Sequence, residues 1–420
     1  MTSLGLFALV IGLASVFALL NDRLLRLPMT IGILLLSLLA SGALLLAEAV
    51  FPWSAVGQAR AILAQVDLPH TLLDGALAFL LFAGAQAVDM RELWGQRFSV
   101  LALAVLGTLL AVVLFAGGMW GVFSLLGLPI SFAWCAVLGA ILAPTDPVSV
   151  VGMLRRLGLP APLQALFAGE SLFNDGVGVV IFTVALGVAM HGGSASVAGL
   201  ALPFGWEVGG GLLLGLLGGG LAVAGLRAAR DAHVEVLISL ALATGVYSLS
   251  AALGMSGPVA VVAAGLLMGT PMAHTALTPH GRTELPGFWG MVDEVLNALL
   301  FVVIGFQVLA LSFHLSFLAA AAVAVPLSVL VRGASVLLAT LPVYLSGRES
   351  PAVLAVLTWG GLRGGISLAL ALSLPAGPER DLLLCVSYSV VVFTILVQGL
   401  TMQPLVQRFY PVSQTGTEEG

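Results

Sequence analysis

Lysine is absent from this 420-residue chain, and arginine, aspartate and glutamate together supply only 35 residues, 8% of the total. Globular proteins carry about 25% charged residues. So little charge excludes a solvated globular surface, a disordered polar chain and any nucleic-acid binder that works through a basic face. Cysteine is nearly absent as well. Cys135 and Cys385 both sit in apolar runs, as small core residues rather than a disulfide or a metal pair. The six histidines are scattered, and no His-Glu-x-x-His, Gly-x-Ser-x-Gly or nucleotide-binding loop occurs. The signatures of an enzyme or of a nucleotide-driven pump are therefore missing, and no cofactor is called for.

What the chain has instead is apolar length. Hydrophobic residues make up 60% of it and the mean hydropathy is +1.13. A helical span needs about 20 mostly apolar residues, so the chain has room for roughly a dozen spans and little else. Cutting at Gly, Pro and charge clusters gives thirteen segments, near 3–21, 29–51, 70–88, 97–126, 130–153, 160–190, 203–226, 233–253, 256–270, 288–311, 314–344, 350–374 and 381–406. They are too long and too little alternating for barrel strands, which predicts an all-α membrane protein. The first segment lacks a basic leader and runs straight into further spans, so it reads as the first helix rather than a signal peptide.

Arginine sets the expected orientation. The loops after odd-numbered segments, with the tail, hold Arg23, Arg26, Arg91, Arg97, Arg155, Arg156, Arg227, Arg230, Arg282, Arg348 and Arg408, eleven of the fifteen. By the positive-inside rule the N-terminus lies outside and the C-terminus in the cytoplasm. An odd number of spans requires the same. Residues 1–410 then form one polytopic unit in the inner (plasma) membrane, and 411–420 a short cytoplasmic tail.

Charge inside a span costs about 2.5–3.5 kcal/mol and should appear only where function asks for it. The interior candidates are Asp146, Glu170, Asp175, Glu235, Arg332 and Arg363, with Asp74, Glu207, Asp293 and Glu294 nearer span ends. In segment five, Pro144-Thr145-Asp146-Pro147 must break the helix, because each proline removes a donor and pushes its predecessor out of helical geometry. Asp146 can cap a restarted half-helix with Pro147 at its first position. Freed carbonyls beside a carboxylate suit a hard cation such as Na⁺; a proline kink with a capping Asp is the plainer alternative. In segment six, Ser171 and Asp175 are four apart, as are Glu170 and Asn174, so four polar side chains share one face. That face must meet protein or water, either as an ion site or as interhelical glue. Segment twelve carries Gly360-Gly361-Leu362-Arg363-Gly364-Gly365, a second break seven spans after the first. Interrupted spans at corresponding positions of two halves point to an inverted-repeat transporter with its site at the midplane. The repeats would be roughly 1–190 and 233–406, with Arg363 as counter-charge to the carboxylates. Glu235 has no assignment at this level.

Together, Pro-Thr-Asp-Pro at 144–147, Gly-Glu-Ser-Leu-Phe-Asn-Asp-Gly at 169–176 and Gly-Leu-Arg-Gly-Gly-Ile-Ser-Leu-Ala-Leu at 361–370 resemble the CPA1 family of cation/proton antiporters, the NhaP and NHE type. A weaker match runs from Asp293 to Gly305. The resemblance implies a thirteen-helix fold with two crossed discontinuous helices (segments five and twelve), a dimerisation domain beside a six-helix core, and a homodimer. It implies that Asp175 and Asp146 bind the cation or proton, with Thr145 and Ser171 adding oxygens to a Na⁺ held by all four. Glu170 would pair with Arg332, while Asn174 and Arg363 would support the site. Many relatives carry an acid in the third span where this chain has Phe82-Ala83; Asp74 and Gln86 are candidate substitutes.

The expected activity is exchange of Na⁺ or Li⁺ for H⁺ by alternating access. The two carboxylates would titrate as a coupled unit, so a proton and a cation compete for one site. Asn174 stands where a second acid would carry a second proton, which predicts a 1:1 electroneutral cycle. A K⁺/H⁺ antiporter of the same fold and a cation channel are the alternatives; selectivity among Na⁺, Li⁺ and K⁺ stays open. The partners expected are the cation, protons, lipid and a second copy of the chain, with no nucleic acid and no nucleotide.

Overall fold

The computed structural model describes residues 3–50, 75–146, 158–191, 197–312, 314–345 and 351–410, together with Gly57 and Gly152. All regular structure among these residues is helical. In chain order the helices are α1 (Ser3–Leu20), α2 (Met29–Val50), α3 (Leu77–Gln86), α4 (Met90–Gly95), α5 (Arg97–Leu125), α6 (Phe132–Ile141), α7 (Ala161–Met190), α8 (Val197–Ala228), α9 (Ala232–Ala252), α10 (Gly257–Met268), α11 (Pro271–Ala276), α12 (Gly281–Gln307), α13 (Leu315–Leu345), α14 (Pro351–Trp359), α15 (Gly365–Leu372) and α16 (Arg380–Phe409). Each of the thirteen apolar segments holds a helix. Asp74, Pro147, Arg60, Arg155, Arg156, Arg348 and the tail 411–420 lie outside the described residues.

Among the described residues nine helices are long and apolar enough to cross a bilayer: α1, α2, α5, α7, α8, α9, α12, α13 and α16. Of the shorter ones, α3, α6, α10, α14 and α15 fall in segments three, five, nine and twelve, and α4 and α11 lie in connections between segments. Side-chain caps set several starts by accepting N–H groups that the first turn leaves unbonded. Asp89 takes the N–H of Arg91 and Glu92 ahead of α4, Ser131 that of Trp134 ahead of α6, and Ser256 that of Val259 ahead of α10. Helix α12 begins at Gly281, seven residues before the expected 288, and contains Pro286. The polar run Gly281–Glu284 gives no apolar signal, and its start is fixed by tertiary bonds: Glu235 accepts the N–H and hydroxyl of Thr278 at 2.7 and 3.3 Å, and Thr278 Oγ1 accepts the Gly281 N–H at 3.1 Å. Glu235 is thereby accounted for, as a fully buried clasp between α9 and the head of α12.

Small residues let backbones close on one another. A Cβ on Gly215 of α8 would collide with the Ala260 carbonyl of α10, so glycine is what permits that approach. Two buried apolar clusters result. One gathers Ile31, Leu34, Phe115, Met119, Leu138 and Phe301; the other gathers Phe82, Phe167, Leu285, Trp289 and Val336. Leu212, Leu213, Leu216, Leu217 and Leu221 of α8 are exposed together. Water would penalise an apolar patch of that extent, and it is the surface a bilayer covers.

Candidate functional site

The site is built where the two breaks meet. Helix α6 ends at Ile141, and the chain runs unhelical through Ala143, Pro144, Thr145 and Asp146, as the proline rules require. Helix α14 ends at Trp359, and residues 361–364 are unhelical before α15 begins. The Asp146 N–H donates to the Leu362 carbonyl at 2.7 Å, which ties one break to the other. The tie requires a glycine at 364, where a Cβ would stand 2.6 Å from that of Asp146.

Arg363 serves the backbone rather than a carboxylate. Its Nη1 donates to the carbonyls of Ala143 at 2.6 Å and Pro144 at 3.2 Å, the groups that the break in α6 strips of helical partners. Its own N–H donates to Thr394 Oγ1 at 3.1 Å, in a stretch where α16 widens to π geometry over Thr394–Gln398. Single π turns inside α-helices gather at functional sites.

Helix α7 brings its polar stripe against the break. Glu170, Ser171, Asn174 and Asp175 are all buried, as is Thr145. The Thr145 and Ser171 hydroxyls are 2.9 Å apart, and Asn174 Nδ2 donates to Thr145 Oγ1 at 2.8 Å and to Glu170 Oε1 at 3.2 Å. Asn174 Oδ1 accepts the Thr145 N–H at 3.3 Å. Beyond Asn174 stands a buried bidentate pair: Arg332 Nη1 and Nη2 of α13 donate to Glu170 Oε1 and Oε2 at 2.6 and 2.7 Å. Two parallel charge-assisted bonds give both strength and direction. Arg332 thus holds Glu170, Glu170 orients the Asn174 amide, and that amide orients Thr145.

Asp175 stands outside this chain of bonds. It is only 4% exposed, and its Oδ1 is buried with no hydrogen-bond donor among the described residues. It lines a cavity of about 60 Å³ with Thr145, Asp146, Asn297, Leu300 and Gly364. That volume accepts a few water-sized groups and is far below the roughly 300–1,000 Å³ of clefts that hold organic ligands. The cavity sits where the two apolar clusters adjoin, with Leu81 from one and Leu300 from the other on its wall. Its charged wall is carboxylate and its neutral polar wall is oxygen-bearing, a donor set for a small hard cation. No cluster of three or more His, Cys, Asp or Glu residues converges as a metal site among the described residues.

The sequence-predicted residues divide accordingly. Thr145, Asp146 and Asp175 are on the cavity wall; Ser171, Asn174, Glu170, Arg332 and Arg363 stand behind it as bonded supports. Ala83 is buried, and its neighbour Gly84 rather than Ala83 reaches the wall. Sequence reasoning gave Asn297 no role at the site. The signal was present: Asp293 and Asn297 are four apart on one helix, the spacing that singled out Glu170 with Asn174 and Ser171 with Asp175.

A family model described as the transmembrane sodium/hydrogen exchanger matches residues 9–408. The Na⁺/H⁺ antiporter NhaP of Pseudomonas aeruginosa is 40% identical over 426 residues, covering 99% of each chain. The Na⁺/H⁺ antiporter NhaH of Halobacillus dabanensis is 34% identical over 345 residues, 80% of this chain and 83% of that one. The solved structure of the sodium proton antiporter MjNhaP1 from Methanocaldococcus jannaschii at pH 8 shares the fold, with a TM-score of 0.75 at 20% identity over 97% of this chain and 98% of that one. By the extent of the family match and by its relatives, the chain belongs to the sodium/hydrogen exchanger family, a family of membrane transporters and not of enzymes.

Proposed function

We propose that this protein exchanges Na⁺, or Li⁺, for H⁺ across the cell's inner membrane, with Asp175 and Asp146 as the groups for which the two ions compete. The observation that carries the proposal is Asp175: a buried carboxylate with an unmatched oxygen, on a water-sized cavity it shares with Asp146 and Thr145. An ionised carboxylate so placed is costly unless a cation or a proton answers it, and either one does.

The cycle balances. A protonated Asp175 releases H⁺ as Na⁺ binds, while Asp146 keeps one protonation state in both loaded states, so the site carries the same net charge in each. Asn174 is neutral and its amide is committed to Glu170 and Thr145, so one Na⁺ moves per H⁺ and no net charge crosses. The ion-binding set is Asp146, Asp175 and Thr145, with Ser171 fixing the Thr145 hydroxyl. Glu170, Arg332, Asn174 and Arg363 hold the set in place.

Alternating access follows from the architecture proposed with it: two inverted repeats, roughly 1–190 and 233–406, whose discontinuous helices cross at the site. A six-helix core would rock against a dimerisation domain, in a homodimer with the N-terminus outside and the C-terminus cytoplasmic. The test is dequenching of a pH-sensitive dye in reconstituted vesicles on addition of Na⁺, Li⁺ or K⁺, repeated at clamped membrane potentials. Na⁺- and Li⁺-driven proton flux that ignores voltage is the expected result. A response to K⁺ alone, unitary currents, or a rate that follows voltage at fixed gradients contradicts the proposal.

A further inference from the structure

Helix α12 carries a carboxylate that the exchange site does not use. Asp293 lies four residues after Trp289 and four before Asn297, so all three share one face of the helix. Trp289 is buried and packs on Phe82 of α3 with ring centroids 4.6 Å apart; Asn297 is buried on the cavity wall. That face therefore looks toward the site. Asp293 is half-buried on it, while the neighbouring Glu294 is exposed.

Two contacts link Asp293 to the ion path. Asn297 Nδ2 donates to Asp293 Oδ1 at 3.1 Å and to the Asp293 carbonyl at 2.9 Å. With its nitrogen committed there, the Asn297 amide has only its oxygen left to offer a cation. Asp293 and Asp146 are also near enough for their charges to act on each other. No arginine or histidine forms an ion pair with Asp293 among the described residues. A half-buried carboxylate inside a span is costly, and a passing cation is a partner that would offset it. The independent sign that a cation comes close is Asp175, whose buried, unmatched oxygen lies on the cavity whose wall Asn297, the hydrogen-bond partner of Asp293, also forms.

We propose that Asp293 is a staging site for the transported monovalent cation. With the Asn297 oxygen it takes the ion on the Gly281 side of the cavity, one helical turn short of the wall, and hands it to Asp146 and Asp175. This rests on the reading of those two as the exchange site. A fixed negative charge at the mouth of a narrow, low-dielectric path raises the local cation concentration by tenfold or more and is screened by salt. Asp293 therefore acts on capture, not on the maximal rate.

The experiment measures Na⁺-driven proton flux in proteoliposomes for wild type, Asp293→Asn, Asp293→Glu and Asp175→Asn. Asp293→Asn should raise the KM for Na⁺ on the order of tenfold and leave kcat within about twofold of wild type. Asp293→Glu should restore KM, because it restores the charge. Added choline chloride should raise the wild-type KM and leave that of Asp293→Asn unmoved, a response a packing role would not give. If Asp293→Asn yields no folded protein, Asp293→Ser is read the same way. A KM within about twofold of wild type, a loss confined to kcat, or an Asp293→Glu as impaired as Asp293→Asn overturns the staging role. The two proposals fail separately: activity in Asp175→Asn sinks the exchange site, whereas a silent Asp175→Asn beside a normal Asp293→Asn sinks only the staging site.

Discussion

Removing Arg332 tests the supports behind the site. Its guanidinium gives Glu170 two bonds of 2.6 and 2.7 Å, and the pair is almost fully buried, with side chains 8% and 1% exposed. In Arg332→Ala, Glu170 keeps one bond, from Asn174 at 3.2 Å, and an uncompensated buried charge. Stranding such a charge costs about 3–5 kcal/mol. The Leu357 carbonyl also loses the Arg332 donors at 3.2 and 3.4 Å, at about 1 kcal/mol net. The double variant Glu170→Gln/Arg332→Met keeps the volume and removes both charges, so it should lose less than about 2 kcal/mol. The protein supplies its own reporter. Cys135 and Cys385 are both free and buried, so a thiol-reactive dye labels them only as the chain opens on heating. Arg332→Ala should lower the labelling midpoint on the order of 5 °C, and the double variant should recover most of that. A double variant as unstable as Arg332→Ala, or an Arg332→Ala within error of wild type, would mean that the buried pair does not carry this stability.

Three further outcomes follow from the same contacts. In Gly364→Ala the new methyl meets Asp146 Cβ at 2.6 Å; the two breaks must part, and exchange should fall at least tenfold while the labelling midpoint moves little. Under the proposed competition of a proton and Na⁺ for the same carboxylates, the apparent KM for Na⁺ should rise as pH falls, toward about tenfold per pH unit where the protonated form dominates. The maximal rate at saturating Na⁺ should hold, and a KM flat across pH would contradict competition. Glu235→Gln leaves the site intact but weakens the clasp on Thr278; it should lower the labelling midpoint by a few degrees and leave the KM for Na⁺ unchanged.

The parts of this fold that were legible in sequence are those whose cause is local. The break after Ile141 follows from two prolines three apart, whatever surrounds them, and the polar stripe of α7 follows from helical spacing alone. Arg363 was legible as a buried charge but not by its partner. The Ala143 and Pro144 carbonyls lie 220 and 219 residues away, and they need a donor only because their own helix has ended. Glu235 gave no signal because its partners are a backbone N–H, which every residue but proline carries, and one hydroxyl, both on Thr278, 43 residues away. The early start of α12 was hidden for the same reason, since a tertiary clasp rather than an apolar run sets it. Asn297 fell within the weaker match from Asp293 to Gly305 but was given no role, although its spacing from Asp293 was in plain view, because only the folded chain sets it on a cavity wall.

Asp175 is the group on which we propose that Na⁺ and H⁺ exchange. Asp175→Asn keeps the shape of the side chain and removes its titrating oxygen, so the purified variant should label at the wild-type midpoint and remain folded. In proteoliposomes its Na⁺-driven proton flux should drop to that of protein-free vesicles. Exchange at the wild-type rate by that folded variant would contradict the account.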